Sequence, residues 1–228
     1  MMTGLKVVMG QRVLRANEDV ARQNRARFAA AGTFVVNLMS SPGAGKTTLL
    51  ERTLEQLRES YKIGVIEGDI YTTRDAQRIA GQGVEVVQIN TSGVCHLDAT
   101  MIARSLEELE ENRYDLVFIE NVGNLVCPAE FDLGEDAKVV LLSVTEGGDK
   151  PAKYPLAFQE ARMVAITKSD LLPYTDFDFE TVYRELKAIN PEARIILMSA
   201  RTGEGIKEWC EWLEEMTRQK QAAKAAAE

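Results

Sequence analysis

The 228-residue chain carries 27 Lys and Arg against 35 Asp and Glu, a formal net charge of −8, with 45% hydrophobic and 27% charged residues. That balance suits a globular protein with a large buried core. It argues against a nucleic-acid-binding surface, because no basic stripe is available to neutralise phosphates. No apolar run approaches the ~20 residues of a membrane span, no signal-peptide pattern opens the chain, and three cysteines, an odd number, suit a reducing compartment, so the expectation is a cytoplasmic protein with neither membrane nor nucleic-acid partners.

Between residues 13 and 28 apolar side chains recur at helical spacing among arginines, and Gly32 ends the pattern. Residues 1–32 are expected as an N-terminal helical arm, packed on the core or offered to a partner, with its arginines as a solvated face.

Phe34-Val35-Val36-Asn37-Leu38-Met39 reads as a buried strand, and Leu49, Leu50, Leu54 and Leu57 repeat at helical spacing after it. Between them lies Ser40-Ser41-Pro42-Gly43-Ala44-Gly45-Lys46-Thr47-Thr48. A strand, a glycine-bearing loop ending Gly-Lys-Thr and a helix form a phosphate-binding loop. Its glycines let successive N–H groups turn inward, and the helix N-terminus adds positive potential. Gly43, Ala44, Gly45, Lys46, Thr47 and Thr48 are therefore nucleotide-binding candidates, with Lys46 on the β- and γ-phosphates and the Thr47 hydroxyl on Mg²⁺. The usual first glycine of the pattern is Ser40 here, and Gly43 supplies the flexibility instead.

Residues 62–69 form a second buried strand ending in Asp69, and Asp75 opens the helix that follows. Carboxylates at the strand ends of such folds hold Mg²⁺ or orient the attacking water, which makes Asp69 and Asp75 candidates. Each has a plainer use, Asp69 as a turn former and Asp75 as a helix cap. A third strand, residues 84–90, leads into Cys95-His96, where the chain's only histidine adjoins a cysteine. Thiolate plus imidazole is a soft pair suited to Zn²⁺ or Ni²⁺; the alternative is a buried cysteine beside a helix-starting histidine.

The strand at 114–119 ends in Glu120-Asn121-Val122-Gly123, the layout of a Walker B strand and nucleotide switch with glutamate in the acidic place. Glu120 would hold the magnesium shell, and the Gly123 N–H would meet the γ-phosphate. The loop continues to the second cysteine, Cys127. A strand at 138–145 precedes a loop rich in Gly, Pro and Lys, and another at 163–166 ends in Thr167-Lys168-Ser169-Asp170. This is the guanine-reading pattern with Thr in first place. The Asp170 carboxylate can accept from both the ring N–H and the exocyclic amino group of guanine, a donor pair adenine lacks, while the Lys168 stem lies along the base. The strand at 193–198 ends in Ser199-Ala200-Arg201, a loop whose backbone meets the guanine carbonyl. Cys210, between Trp209 and Trp212 on a final helix, is expected as core packing, and residues 217–228 as a flexible tail.

The alternation of strands and helices predicts an α/β fold: a P-loop NTPase three-layer sandwich with a mostly parallel central sheet and helices on both faces, its nucleotide domain at 33–216. Taken together, the phosphate loop, Gly68-Asp69 to Asp75-Ala76, Cys95-His96-Leu97-Asp98-Ala99, the run from Ile119 to Pro128 and Thr167-Lys168-Ser169-Asp170 resemble the hydrogenase nickel-incorporation (maturation) GTPases of the HypB family, in the SIMIBI class. The resemblance implies a homodimer, favoured by GTP, that hydrolyses GTP slowly and cycles between GTP and GDP with Mg²⁺. It implies Ni²⁺ or Zn²⁺ held at the dimer interface by Cys95, His96 and Cys127, with nickel passed to the large-subunit precursor of a hydrogenase alongside a small nickel-binding maturation partner. It also implies Lys153 as a base contact across the dimer. The urease accessory GTPases share the loop and switch but carry a Cys-Pro-His motif absent here, and the cysteine-rich or histidine-rich N-terminal tract of some relatives is absent too, so no storage role is expected. The residues by themselves leave two alternatives, a regulatory GTP-binding protein with structural cysteines and an ATP-dependent small-molecule kinase.

Overall fold

A computed structural model describes residues 11–109 and 114–227. The chain opens on helix α1 (Gln11–Ala31), which buries Asn17, Ala21, Asn24 and Phe28 along one stripe and stops at Gly32, whose φ is 73°. The arm therefore packs on the core; residues 1–10 of it lie outside the described residues. Strand β1 (Phe34–Ser40) is buried at every position and runs into α2 (Lys46–Leu57). Then come β2 (Ile63–Asp69), α3 (Arg74–Ala80), β3 (Glu85–Asn90), α4 (Ala99–Glu108), β4 (Leu116–Glu120) and the short α5 (Cys127–Glu130). Next are β5 (Ala137–Ser143), two short helices, α6 (Lys150–Lys153) and α7 (Pro155–Gln159), then β6 (Met163–Thr167), α8 (Phe179–Ile189), β7 (Arg194–Leu197) and α9 (Ile206–Ala225).

The strands form one sheet in the order β3-β2-β4-β1-β5-β6-β7. The parallel pairing expected for most of the sheet holds for all six neighbouring pairs. Parallel strands need crossover connections and are covered on both faces, so their apolar runs are nearly continuous. Alternate residues divide accordingly. Phe34, Val36, Leu38, Phe118, Val139 and Leu141 pack under α2 and α9, with Ile79 of α3 in the same cluster. Val35, Ile66, Val117 and Ile119 face α1 and α4, while Val140, Leu142, Val164 and Ile166 face α7 and α8. These are the three expected layers. Fully burying side chains of this size contributes about 1.5–3 kcal/mol each before the entropy of ordering them is counted.

At the end of the chain the structure departs from expectation. Residues from 217 onward, expected as a flexible tail, continue α9 to Ala225. Their Ala, Lys and Gln are strong helix formers, and the turns are docked: Thr217 is buried, Lys220 pairs with Asp136 at 2.5 Å, and Gln221 donates to Asp115 at 2.7 Å. Among the described residues no helix is long and apolar enough to cross a membrane.

Candidate functional site

The phosphate loop leaves β1, which lies between β4 and β5, so the loop sits where the sheet's connections diverge, a common place for ligands in open parallel sheets. Gly43 and Gly45 have φ of 79° and 102°, and nothing within 4 Å would obstruct a Cβ at either. The requirement for glycine there is backbone conformation rather than space. Ser40 needs no such freedom, because it is the last residue of the extended strand. Its hydroxyl donates to the Ser41 carbonyl at 2.6 Å and accepts from Lys46 Nζ at 3.1 Å. The residue that replaces the usual glycine thus holds the loop lysine inside the cleft.

That cleft, of about 540 Å³, is lined by Gly43, Gly45, Lys46, Thr47 and Thr48, by Asp69, Asp75 and Glu120, and by Gly123. Lys46 is 8% exposed, and its burial pulls the ammonium pKa down while Glu120 pulls it up. The Thr47 hydroxyl donates to Glu120 Oε1 at 2.8 Å. Burial raises the Glu120 carboxyl to about 6 against the opposing pull of Lys46. Beside it, in register on the neighbouring strand, stands Glu67, 3% exposed and raised to about 8, first by burial and then by Glu120. Oε2 of Glu67 and Oε2 of Glu120 are buried with no hydrogen-bond partner. Hard oxygen donors left unsatisfied beside a threonine hydroxyl and a lysine fit a divalent cation such as Mg²⁺.

Asp69 and Asp75 both reach the cleft and both also do local work. Asp69 Oδ1 accepts the N–H groups of Tyr71 at 2.7 Å and Thr72 at 2.6 Å, the turn-forming use. Asp75 is not the helix cap, since Thr73 holds that position; it lies in the first turn of α3 and pairs with Arg78 at 3.1 Å. Gly123 packs against Pro42 so closely that a Cβ there would come within 2.9 Å of it.

Around the corner of α2 lies a second cavity, of about 270 Å³, lined by Ala44, Thr167, Lys168, Asp170, Ser199 and Ala200 among others. Thr167, standing where the guanine-reading pattern usually has Asn, ties the two loops together by donating to the Ala44 carbonyl at 2.7 Å, and Lys168 Nζ donates to the Gly43 carbonyl at the same distance. Ser199 donates to Asp170 Oδ1 at 2.6 Å, and Arg201 stands 3.6 Å from the other oxygen. The residues of the expected guanine-reading pattern and the Ser199-Ala200 loop are therefore assembled on one wall. Lys153 is not among the residues lining this cavity; it lies exposed on α6 and pairs with Asp149.

The cysteines and the histidine converge as well. Ligand atoms of Cys95, His96 and Cys127 all lie within 4.8 Å of one another, in the only such cluster among the described residues. The two Sγ atoms are 3.2 Å apart. Asn124 Nδ2 donates to the Cys95 carbonyl at 3.3 Å, and the His96 ring lies on Phe131 with centroids 4.1 Å apart. Burial lowers the His96 pKa, so the neutral, ligating form of the imidazole is favoured. The hydrogen bond to Cys95 pushes the Cys127 thiol up. Cys210 faces the core from α9, its thiol raised to about 11 by burial, as expected for a packing residue.

Sequence reasoning passed over Glu67, Arg78 and Asn121. Glu67 had a signal, an acidic residue inside an apolar strand two places before the strand's cleft end. Arg78 lines the cleft but is engaged with Glu51 at 2.6 Å and with Asp75. Asn121 acts through Leu97 and Asn37, partners distant in sequence.

The family model described as "CobW/HypB/UreG, nucleotide-binding domain" matches residues 34–197. The chain is 53% identical over 208 residues to the hydrogenase maturation factor HypB of Azotobacter chroococcum mcd 1, covering 91% of this chain and 68% of that one. Among solved structures it is similar to the hydrogenase maturation factor HypB of Archaeoglobus fulgidus, with a TM-score of 0.84 and 41% identity over 89% of this chain and 99% of that one. It is similar also to HypB of Helicobacter pylori solved in complex with nickel, with a TM-score of 0.85 and 39% identity over 90% of this chain and 96% of that one.

Proposed function

The chain belongs to the CobW/HypB/UreG nucleotide-binding family as a hydrogenase maturation factor of the HypB type, and from that premise we propose that it is a GTP-hydrolysing metallochaperone. It binds nickel, or zinc in its place, between two copies of itself and inserts nickel into the precursor of a nickel-iron hydrogenase. The observation that carries this reading is the convergence of Cys95, His96 and Cys127 on a loop system that begins at the phosphate cleft. The relative solved with nickel supports the choice of metal.

Asp170 selects guanine through its two carboxylate oxygens, and Lys168 supports the base. Lys46 leaves Ser40 and neutralises charge on the β- and γ-phosphates. Thr47 and Glu120 would hold Mg²⁺, which would neutralise phosphate charge, and Asp69 and Asp75 orient water. With Arg78 committed to Glu51 and Asp75, hydrolysis is slow. Gly123 reads the γ-phosphate. Because Cys127 follows it on the same loop, loss of that phosphate shifts a metal ligand.

Three soft donors per subunit fall short of a closed tetrahedral site, and Val94 and Val126 stand 41% and 51% exposed beside the two cysteines. Both features favour a second copy as the partner, with GTP promoting the dimer and Lys153 reaching the base across it. The remaining partners are a small nickel-binding maturation protein and the hydrogenase large-subunit precursor, met in the cytoplasm without nucleic acid or membrane.

Nickel titration of the wild type against Cys95→Ala and Cys127→Ala, alongside GTP turnover, tests the reading. Loss of bound nickel with GTP binding retained supports it. Unchanged stoichiometry in both variants would leave a GTP-binding switch with structural cysteines.

A further inference from the structure

We infer that α1 is a clamp for the metal cluster, with Asn17 and Asn24 as positioning residues that set the separation between the Cys95-His96 and Cys127 segments; this rests on the metal reading of those three side chains. The two segments are 32 residues apart in the chain. Each is followed within a few residues by a backbone stretch that α1 holds. Asn17, 6% exposed, accepts the Ala99 N–H on Oδ1 at 2.8 Å and donates from Nδ2 to the Asp132 carbonyl at 2.7 Å. Asn24, 3% exposed, donates from Nδ2 to the Ala99 carbonyl at 2.9 Å and to the Leu133 carbonyl at 3.1 Å. Each asparagine therefore bridges the stretch after His96 to the stretch after Cys127. Arg25 adds an ion pair to Asp132 at 2.6 Å.

The packing is as close as backbone allows. Gly134 has a φ of 92°, and a Cβ there would lie 2.7 Å from the Ala21 carbonyl oxygen and from Asn24 Cβ. Asparagine is a poor helix former, and a helix that only covered the core would carry apolar side chains at buried positions. Here two of the buried positions on α1 are spent on amide groups whose every observed hydrogen bond goes to the two ligand-bearing segments. Partners that orient metal ligands set affinity and geometry without touching the ion, and fixing the backbone on which the ligands stand acts in the same direction.

The test is nickel(II) chloride titration of the full chain, followed by the thiolate-to-nickel charge-transfer band and by chelator competition, for wild type, Cys95→Ala, Asn24→Ala and Asn17→Ser. The serine side chain is too short to span both segments. The clamp predicts that both asparagine variants bind nickel about 10- to 100-fold more weakly, with a displaced band, while GTP affinity stays at the wild-type value. Where Asn24→Ala fails to fold, judged by thermal unfolding, Asn17→Ser decides. Wild-type affinity and an unshifted band in a folded asparagine variant overturn the clamp alone. A wild type that binds no nickel, or a Cys95→Ala variant that binds it equally, overturns the metal reading and the clamp with it.

Discussion

The side chain of Asn121 accepts the Leu97 N–H at 3.2 Å, so the residue after Glu120 in the phosphate cleft holds the residue after His96 in the Cys95-His96-Cys127 cluster. The contact belongs to a buried polar chain. Asn121 Nδ2 donates to Asn37 Oδ1 at 3.2 Å, Asn37 Nδ2 donates to Glu135 Oε1 at 3.1 Å, and Glu135 Oε2 accepts the Leu133 N–H at 2.7 Å. The chain thus joins the loop after β4, strand β1 and the loop before β5, and it ends beside the carbonyl that Asn24 holds. Satisfied polar networks of this kind fix one arrangement of the segments they join. Asn121→Ala leaves the Leu97 N–H buried without its partner, and the expected cost is about 1–3 kcal/mol of unfolding free energy, read from the urea midpoint at unchanged slope. A variant as stable as wild type would show that the network is not holding the two loops.

Glu67 predicts a pH dependence of the magnesium- and nucleotide-free protein. Its carboxyl is displaced upward from 4.5 to about 8, chiefly by burial. The unfolded chain releases this proton near the ordinary value, and the native state keeps it until about 8. The contribution of Glu67 to stability is therefore fully present below 4.5 and is lost as pH rises toward 8. Urea unfolding across that range should show stability falling with pH in the wild type and a shallower fall in Glu67→Gln. Equal slopes in the two proteins would remove Glu67 as the cause. Because a bound cation favours the ionised carboxylate, magnesium affinity should rise over the same range.

Asp170 predicts a change of base preference. Two charge-assisted hydrogen bonds, at about 1.5–3 kcal/mol each, separate guanine from a base without those donors. Asp170→Asn replaces an acceptor with an amide that offers donors, which suits the carbonyl xanthine carries where guanine has its amino group. Competition binding should give roughly a 100-fold or greater loss of GTP affinity together with a gain for xanthosine triphosphate. Retained GTP preference would mean that the wall formed by Thr167, Lys168 and Ser199 reads the base without Asp170.

Much of this was legible in the chain because it is written locally. The phosphate loop, the Glu120–Gly123 switch and the Thr167–Asp170 pattern each occupy a few consecutive residues next to an apolar strand, and the parallel sheet follows from that alternation. Cys95-His96 and Cys127 are grouped by the family resemblance alone; their residues nominate them singly, because their meeting depends on where α4 and α5 begin, which packing decides. The same holds for Glu67, whose importance comes from the neighbouring strand placing Glu120 in register with it. Asn17 and Asn24 look like ordinary polar residues of an arginine-rich helix, and their burial becomes visible only once α1 lies over Ala99 and Leu133. The Ala-, Lys- and Gln-rich composition at the end of the chain reads as a flexible tail, whereas Lys220 and Gln221 dock the last turns of α9 by polar reach.

The central claim is that phosphate chemistry at Lys46 controls metal held by Cys95, His96 and Cys127. Nickel affinity of the wild-type protein, measured with a non-hydrolysable GTP analogue and again with GDP, tests it most directly. The account predicts binding tighter by about tenfold or more in the analogue-bound state, a coupling of ordinary allosteric size. The same affinity in both states would mean that the cluster and the nucleotide share a fold without sharing a mechanism.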